Sequence, residues 1–157
     1  MNGKKIITYD MTITDVIDSG TAFEDILSGE KEIPLQGVRI FISFEGKVSG
    51  EVTGTISGVD YVYLRSDGRA ELDIRAMIQT ADNDRIAVVA DGVANIVKGE
   101  ARHNIYENVK LTTSAEKYQI LNLYQVWSIG YVDFETKKLV LEGYYRIKID
   151  IDFDALQ

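Results

Sequence analysis

The sequence contains no cysteine and only one histidine, and both facts limit the chemistry it can perform. Without cysteine there is no disulfide, thiol nucleophile, cysteine-ligated zinc site or iron–sulfur cluster. A histidine-based triad would have to use His103, which stands in the polar stretch EARHN with no nucleophile beside it. We therefore interpret His103 as a solvated side chain.

Positive charge is also scarce, with 17 lysines and arginines against 25 aspartates and glutamates, a net charge of -8. Such a surface repels polyphosphates and anionic lipids, so we expect neither a nucleic acid nor a membrane as partner. No apolar run reaches the length of a membrane-spanning helix, and the first residues lack the apolar core of a signal peptide. These features predict a cytoplasmic protein.

Proline is nearly absent, and 45% of the 157 residues are hydrophobic, which indicates a folded single domain spanning 1–157. Apolar and polar residues alternate through most of the chain, as is typical of antiparallel β structure. Turn signals delimit about eight strands, and closing them into a barrel removes exposed edges. The predicted strands are 38–44, 47–56, 59–66, 69–80, 85–91, 108–113, 120–131 and 138–151, with turns at Glu45-Gly46, Asp67-Gly68 and Asp82-Asn83.

The stretch TAFEDILSG breaks the alternation and predicts a short helix. Thr21 and Glu24 fit a capping box, and Gly29 fits a helix stop. Phe23, Ile26 and Leu27 lie at helical spacing, so we expect this apolar stripe to close one end of the barrel.

Glycines at 46, 50, 54 and 58 do not have the spacing of a nucleotide-binding loop. Read as strand, they alternate with aliphatic residues on an inward even-numbered face, while the odd-numbered face meets water. Glycines there make room either for bulky side chains across the barrel or for a ligand.

The hairpin around RSDGRAELDIR contains the first candidate site. A two-residue Asp67-Gly68 turn would place Asp60 opposite Arg75, and continuous alternation from the glycines would point Asp60, Asp73, Arg75 and Met77 into the barrel. Buried charges are costly unless paired, so an interior cluster would be a candidate ligand site. The alternatives are a surface salt bridge of small energetic value, or a bulge at Gly58 that reverses the faces.

Other candidates are weaker. Gln125 and Trp127 share a predicted strand face with Leu121, Leu123 and Ile129; we interpret this face as core, although an indole and an amide beside a lumen would suit a flat organic ligand. Asp150, Asp152 and Asp154 alternate on one strand but lack the pattern of a calcium loop, so no metal and no cofactor are expected.

The meander of residues 59–66, 69–80 and 85–91 shows large apolar residues on both predicted faces. One face can be the lumen, and the other needs a cover. Either the lone helix or a second copy of the chain could cover it; the second copy is the simpler cover, which predicts a homo-oligomer.

An ordered series of segments, GVDYVYLRSDGRAELDIRAMIQT, RIAVVADGVA, ENVKLTTS and QVWSIG, resembles a bacterial and fungal family called domain of unknown function 3237. The resemblance spans about Pro34 to Tyr145. It implies a β-barrel, in outline like calycins or allene oxide cyclase, and supplies no established activity. The matching positions are Gly58, Asp60, Arg65, Asp67, Gly68, Leu72, Asp73, Gly92, Tyr118, Asn122, Gln125, Trp127 and Gly130.

The sequence therefore predicts an all-β antiparallel barrel that binds a small organic molecule in its lumen. Proton-transfer chemistry such as isomerisation or cyclisation would use Asp73 or Asp60 as base, with Arg75 stabilising developing oxyanion charge. An arginine-paired carboxylate is a weak base, however, so whether the protein is an enzyme stays open. The alternatives are a non-catalytic carrier or sensor, and a structural oligomer whose barrel is filled.

Overall fold

A computed structural model describes residues 3–145, in which the strands follow one another around a closed antiparallel barrel. The last strand pairs with the first, which confirms the predicted all-β barrel. The elements in chain order are β1 (Lys4–Asp18), α1 (Phe23–Ser28), β2 (Val38–Gly50), β3 (Gly54–Leu64), β4 (Arg69–Thr80), β5 (Arg85–Asn95), β6 (Arg102–Thr112), a 3₁₀ helix (Glu116–Leu123), β7 (Val126–Asp133) and β8 (Lys138–Tyr145).

Helix α1 lies at the barrel end where β1 finishes and β2 begins. Its Phe23 and Ile26 are buried, and the Phe23 ring meets the Phe134 ring edge-on at 4.7 Å between centroids. The helix ends as predicted at Gly29, whose φ of 81° is left-handed. The predicted cap at Thr21 is wrong: Ala22 occupies the cap position, and no side chain bonds to the exposed N–H groups.

Alternation along each strand fills the barrel with aliphatic side chains. On β3, Ile56, Val62 and Leu64 are buried while Thr55 and Ser57 are exposed. The even-numbered residues of β2 and β3 therefore face inward, as the glycine pattern predicts.

No helix among residues 3–145 is long and apolar enough to cross a membrane.

The register of the β3–β4 hairpin differs by one residue from the prediction. Leu64 pairs with Ala70 and Asp60 with Ile74, rather than Asp60 with Arg75. The reason is a three-residue loop: the N–H of Gly68 bonds to the Arg65 carbonyl, and Gly68 has a left-handed φ of 90°. Such a loop adds one residue to a two-residue turn, and a one-residue shift moves every side chain of β4 to the other face.

The β4–β5 hairpin has the same kind of loop. The N–H of Asn83 bonds to the Thr80 carbonyl, and Asn83 takes a left-handed φ of 68°. Met77 consequently pairs with Ala87 instead of the predicted Val88. This second one-residue shift leaves the even-numbered residues of β5 on the inner face, where Ile86 and Val88 are buried as predicted.

The predicted turn at Glu45-Gly46 is wrong, because β2 continues through it to Gly50. Gly46 pairs with Met11 on β1 and with Ile56 on β3. A side chain at Gly46 would collide with the backbone of β1 at Asp10 and Met11. This glycine therefore permits a close approach of two strands and does not make a turn.

Two boundaries in the second half also differ from the prediction. Strand β6 begins at Arg102 rather than at the predicted residue 108, and the 3₁₀ helix at residues 116–123 includes the start of the strand predicted for 120–131. Asn122 fixes this helix to the end of β6, since its side chain accepts the N–H of Thr113 and donates to its carbonyl. The alternating stretch 146–153 and the aspartates 150, 152 and 154 lie outside the described residues.

Candidate functional site

The barrel encloses a cavity of about 60 Å³ toward the end covered by α1. Every strand contributes inward side chains to its wall, and almost all of them are aliphatic or phenylalanine. The polar residues in this wall are Tyr9, Asp60 and Glu107. No lysine or arginine lines the cavity among the residues described, so these carboxyl groups have no cationic partner there.

Asp60 points inward from β3 between Ile42 on β2 and Ile74 on β4. The ladder between β3 and β4 is interrupted beyond this pair, and the Asp60 Oδ1 atom accepts the N–H of Asp73 at 3.0 Å. Burial raises the pKa of Asp60 to about 7, while this hydrogen bond acts in the opposite direction and the Asp73 charge adds to the rise. Asp60 thus titrates near neutrality.

Glu107 points inward from β6, with Gly92 beside it on β5 and Ser128 beside it on β7. Burial raises its pKa to about 8, and the negative charge of Asp60 adds to the rise. Glu107 is not among the predicted site residues, because it lies just before the strand predicted for 108–113. The alternation of Ile105, Glu107 and Val109 is the signal that would have found it, since it places a carboxyl group in the middle of an apolar face.

Tyr9 points inward from β1, where it pairs with Leu141 on β8 and Val48 on β2. It is 4% exposed, and its hydroxyl has no hydrogen-bond partner among the residues described. Burial raises the pKa of Tyr9, and the charge of Glu107 raises it further. Its hydroxyl therefore keeps its proton at every physiological pH and is available as a donor.

The arrangement combines an acid and a base in one apolar chamber. Burial raises the pKa of both carboxyl groups, and the charge of an ionised Asp60 raises that of Glu107 further, so that one of the two keeps its proton after the other has lost it. Carboxyl groups whose environments separate their protonation states in this way can remove one proton and deliver another. The described residues bring together no set of three His, Cys, Asp or Glu side chains that could hold a metal ion.

Three residues predicted for the lumen lie on the outer face of β4 instead. Asp73 and Arg75 form an ion pair at 2.8 Å, and each side chain is more than half exposed, at 53% and 54%. Met77 is 46% exposed on the same face. The one-residue register difference explains all three positions, and only Asp60 of this cluster reaches the cavity.

Gln125 and Trp127 also lie on the outside, contrary to their interpretation as core. Gln125 donates to the Asn108 side chain, and Trp127, 41% exposed, lines an outer groove with Tyr106 and Ile129. The reason is that Leu121 and Leu123 belong to the 3₁₀ helix, so they do not continue the β7 face.

His103 is not solvated, because β6 points it inward and leaves it 3% exposed. Its Nδ1 atom accepts the N–H of Val97 at 3.5 Å, and its ring packs against Phe134. It does not line the cavity.

The chain matches the family described as protein of unknown function (DUF3237) over residues 21–147 and belongs to it. No curated protein matches the chain.

Several solved structures share the fold at low sequence identity. A protein of unknown function from Clostridium acetobutylicum is 20% identical with a TM-score of 0.76, over 94% of this chain and 100% of that one. A β-barrel-like protein from Acinetobacter baumannii is 20% identical with a TM-score of 0.69, over 92% and 94% of the two chains. An enzyme from Penicillium herquei is 20% identical with a TM-score of 0.67, over 92% of each chain. At this identity they show the fold alone.

Proposed function

We propose that this member of the DUF3237 family binds a small organic molecule in its barrel and moves protons on it, as an isomerase or cyclase does. The observation that carries the proposal is the pair of carboxyl groups, Asp60 and Glu107, in a cavity wall that offers them no cation. Burying two carboxyl groups is costly, and a filled structural barrel would gain more from apolar residues at both positions.

The Asp60 carboxylate is the base in this proposal. Its hydrogen bond from the Asp73 N–H favours the ionised form, whereas no hydrogen bond stabilises an ionised Glu107 among the residues described. Asp60 takes a proton from a carbon or oxygen atom of the ligand, and the Glu107 carboxylic acid gives its proton to a second atom. The product is an isomer of the substrate, and returning the proton from Asp60 to Glu107 restores the enzyme.

The corrected position of Arg75 removes the main objection to the enzyme interpretation. An Asp60 paired with Arg75 would be a weak base, but Arg75 lies on the outer face with Asp73. The structural similarity to an enzyme from Penicillium herquei supports an enzyme interpretation without naming the reaction.

A structural barrel is the second candidate, and the small cavity favours it. About 60 Å³ is well below the roughly 300–1,000 Å³ typical of ligand pockets. This candidate predicts that no small molecule binds and that replacing both carboxyl groups by amides only alters stability.

Uptake of solvent deuterium tests the proposal without knowledge of the natural substrate. The protein is incubated in D₂O with acetone or hydroxyacetone, and deuterium next to the carbonyl group is followed by NMR. We expect Asp60→Asn and Glu107→Gln each to lower the rate above buffer by about 100-fold or more, as for loss of a general acid or base. The rate should peak between pH 7 and 8, because Asp60 is protonated below about 7 and Glu107 ionised above about 8.

Asp73→Asn is the matched control, since Asp73 is an exposed carboxylate on the outer face next to this site. It should leave the exchange rate within a few-fold of the unaltered protein. A rate equal to buffer, or one that survives both lumen substitutions, would refute the proposal.

A further inference from the structure

We propose that the lumen takes a small uncharged carbonyl compound whose oxygen accepts a hydrogen bond from the Tyr9 hydroxyl. This deepens the proposed function by naming the ligand class and the residue that recognises it. It rests on the same cavity, but binding and proton transfer fail separately and are measured separately below.

The Tyr9 hydroxyl is the clearest sign of a missing partner in the cavity. A buried hydroxyl without a hydrogen bond is costly and uncommon in folded proteins. Phenylalanine would fill the same space without that cost, yet the chain places tyrosine among the aliphatic residues of the cavity wall. A ligand oxygen at this position would satisfy the donor.

The other polar groups of the wall determine what kind of oxygen fits. The wall already holds the carboxyl groups of Asp60 and Glu107, and no lysine or arginine among residues 3–145 lines the cavity to offset an anionic ligand. The charge of such a ligand would therefore be left unpaired in an apolar chamber. A neutral carbonyl oxygen accepts a hydrogen bond without bringing charge.

Tyr9 and Glu107 both line this cavity. A carbonyl oxygen bound by Tyr9 therefore lies in the same chamber as the proposed acid. When Asp60 removes a proton next to the carbonyl, negative charge develops on this oxygen, and the Tyr9 O–H is positioned to stabilise it. Tyr9 thus becomes a catalytic residue in the proposed reaction.

The size of the cavity limits the ligand. A cavity of about 150 Å³ holds one benzene molecule. The cavity of this barrel is about 60 Å³, so it admits a molecule smaller than benzene unless the wall rearranges. Acetone and acetate, with equal numbers of heavy atoms and different charge, form a matched pair of probes.

The first experiment measures binding. Titrations of the full chain with acetone and with acetate at pH 7.5 are followed by the amide NMR signals of wall residues. We expect acetone to bind at least tenfold more tightly than acetate. Tyr9→Phe should weaken acetone about three- to tenfold, the loss expected for one hydrogen bond. Tyr118→Phe is the control, because the Tyr118 hydroxyl donates to Asp82 and does not line the cavity.

The second experiment reads the hydrogen bond itself. The infrared C=O stretch of bound acetone, labelled with carbon-13 at the carbonyl, should lie below its value in hexane. Tyr9→Phe should return it toward that value, whereas Tyr118→Phe should not. This readout distinguishes recognition by Tyr9 from a general loss of folding, because a misfolded variant gives no bound band at all.

Three outcomes would overturn the inference: acetate binding as tightly as acetone, acetone absent from the lumen, or the same C=O frequency in the unaltered protein and Tyr9→Phe. The proposed function fails in a different way. If acetone binds with a Tyr9-dependent C=O shift but gains no deuterium, the barrel is a carrier of carbonyl compounds, and this inference stands without the enzyme activity.

Discussion

Replacing Glu107 by glutamine should stabilise the protein at alkaline pH and change little at acidic pH. Glutamine has nearly the shape of a protonated glutamic acid, but it cannot ionise. Burial raises the pKa of Glu107 from 4.5 to about 8. Each pKa unit corresponds to about 1.4 kcal/mol, so ionising Glu107 inside the barrel costs roughly 5 kcal/mol at most. Entry of water and relaxation of the wall reduce this value, and we expect about 2–4 kcal/mol.

The direction in which the free energy of unfolding changes with pH follows from the number of protons bound in the folded and the unfolded states. Below pH 4.5 Glu107 is protonated in both the folded and the unfolded protein, so it imposes no penalty. Between pH 4.5 and about 8 the unfolded chain has lost this proton while the folded protein keeps it, and the free energy of unfolding falls as pH rises. Above about 8 the whole penalty is present. Asp60 contributes in the same direction, from 3.8 to about 7.

Urea unfolding at pH 4.5, 7 and 9 measures the effect as the difference between Glu107→Gln and the unaltered protein. The difference should be near zero at pH 4.5 and reach its full value at pH 9. Glu45→Gln is the control, because Glu45 is an exposed glutamate on the outer face of β2 and should show no such trend. If Glu107→Gln is no more stable than the unaltered protein at pH 9, Glu107 is not held in an apolar lumen.

Three further predictions concern the wall of the barrel. Arg75→Ala should lower the free energy of unfolding by no more than about 1 kcal/mol, since its ion pair with Asp73 is on the surface. Urea unfolding measures this change, and a loss of about 3–5 kcal/mol would indicate that the pair is buried. Gly46→Ala should lower the free energy of unfolding by about 1–3 kcal/mol, because the new methyl group meets the backbone of β1. Unchanged stability in thermal unfolding would instead favour the turn predicted from the sequence. The homo-oligomer stays a prediction, and the exposed Tyr106, Trp127 and Ile129 of the outer groove now support it. A strictly monomeric protein in sedimentation equilibrium at micromolar concentration would contradict it.

The sequence by itself determined the fold class and the inward face of β3. Alternation with a period of two needs only the local geometry of a strand, so Asp60 could be placed inside from the glycines and aliphatic residues around it. The absence of cysteine likewise excludes disulfides and thiol chemistry from this sequence without any coordinates.

The register of the two hairpins depends on the length of their loops, which the structure shows to be three residues. Asp-Gly and Asp-Asn are compatible with loops of either two or three residues, and the choice depends on the left-handed conformations of Gly68 and Asn83. The one additional residue in the β3–β4 loop places Asp73 and Arg75 on the outer face instead of in the lumen. The alternation along β4 favours the same register, because the apolar Ala70, Leu72 and Ile74 are buried while the charged residues between them are exposed.

The candidate site itself is a product of barrel closure. Tyr9, Asp60 and Glu107 come from β1, β3 and β6, which are not neighbours in the sheet and lie far apart in the chain. The inner faces of these strands are otherwise mostly aliphatic, and nothing in any one segment indicates the polar residues of the other two. Closure brings them into one cavity and removes the water around them, and that loss of water raises their pKa values.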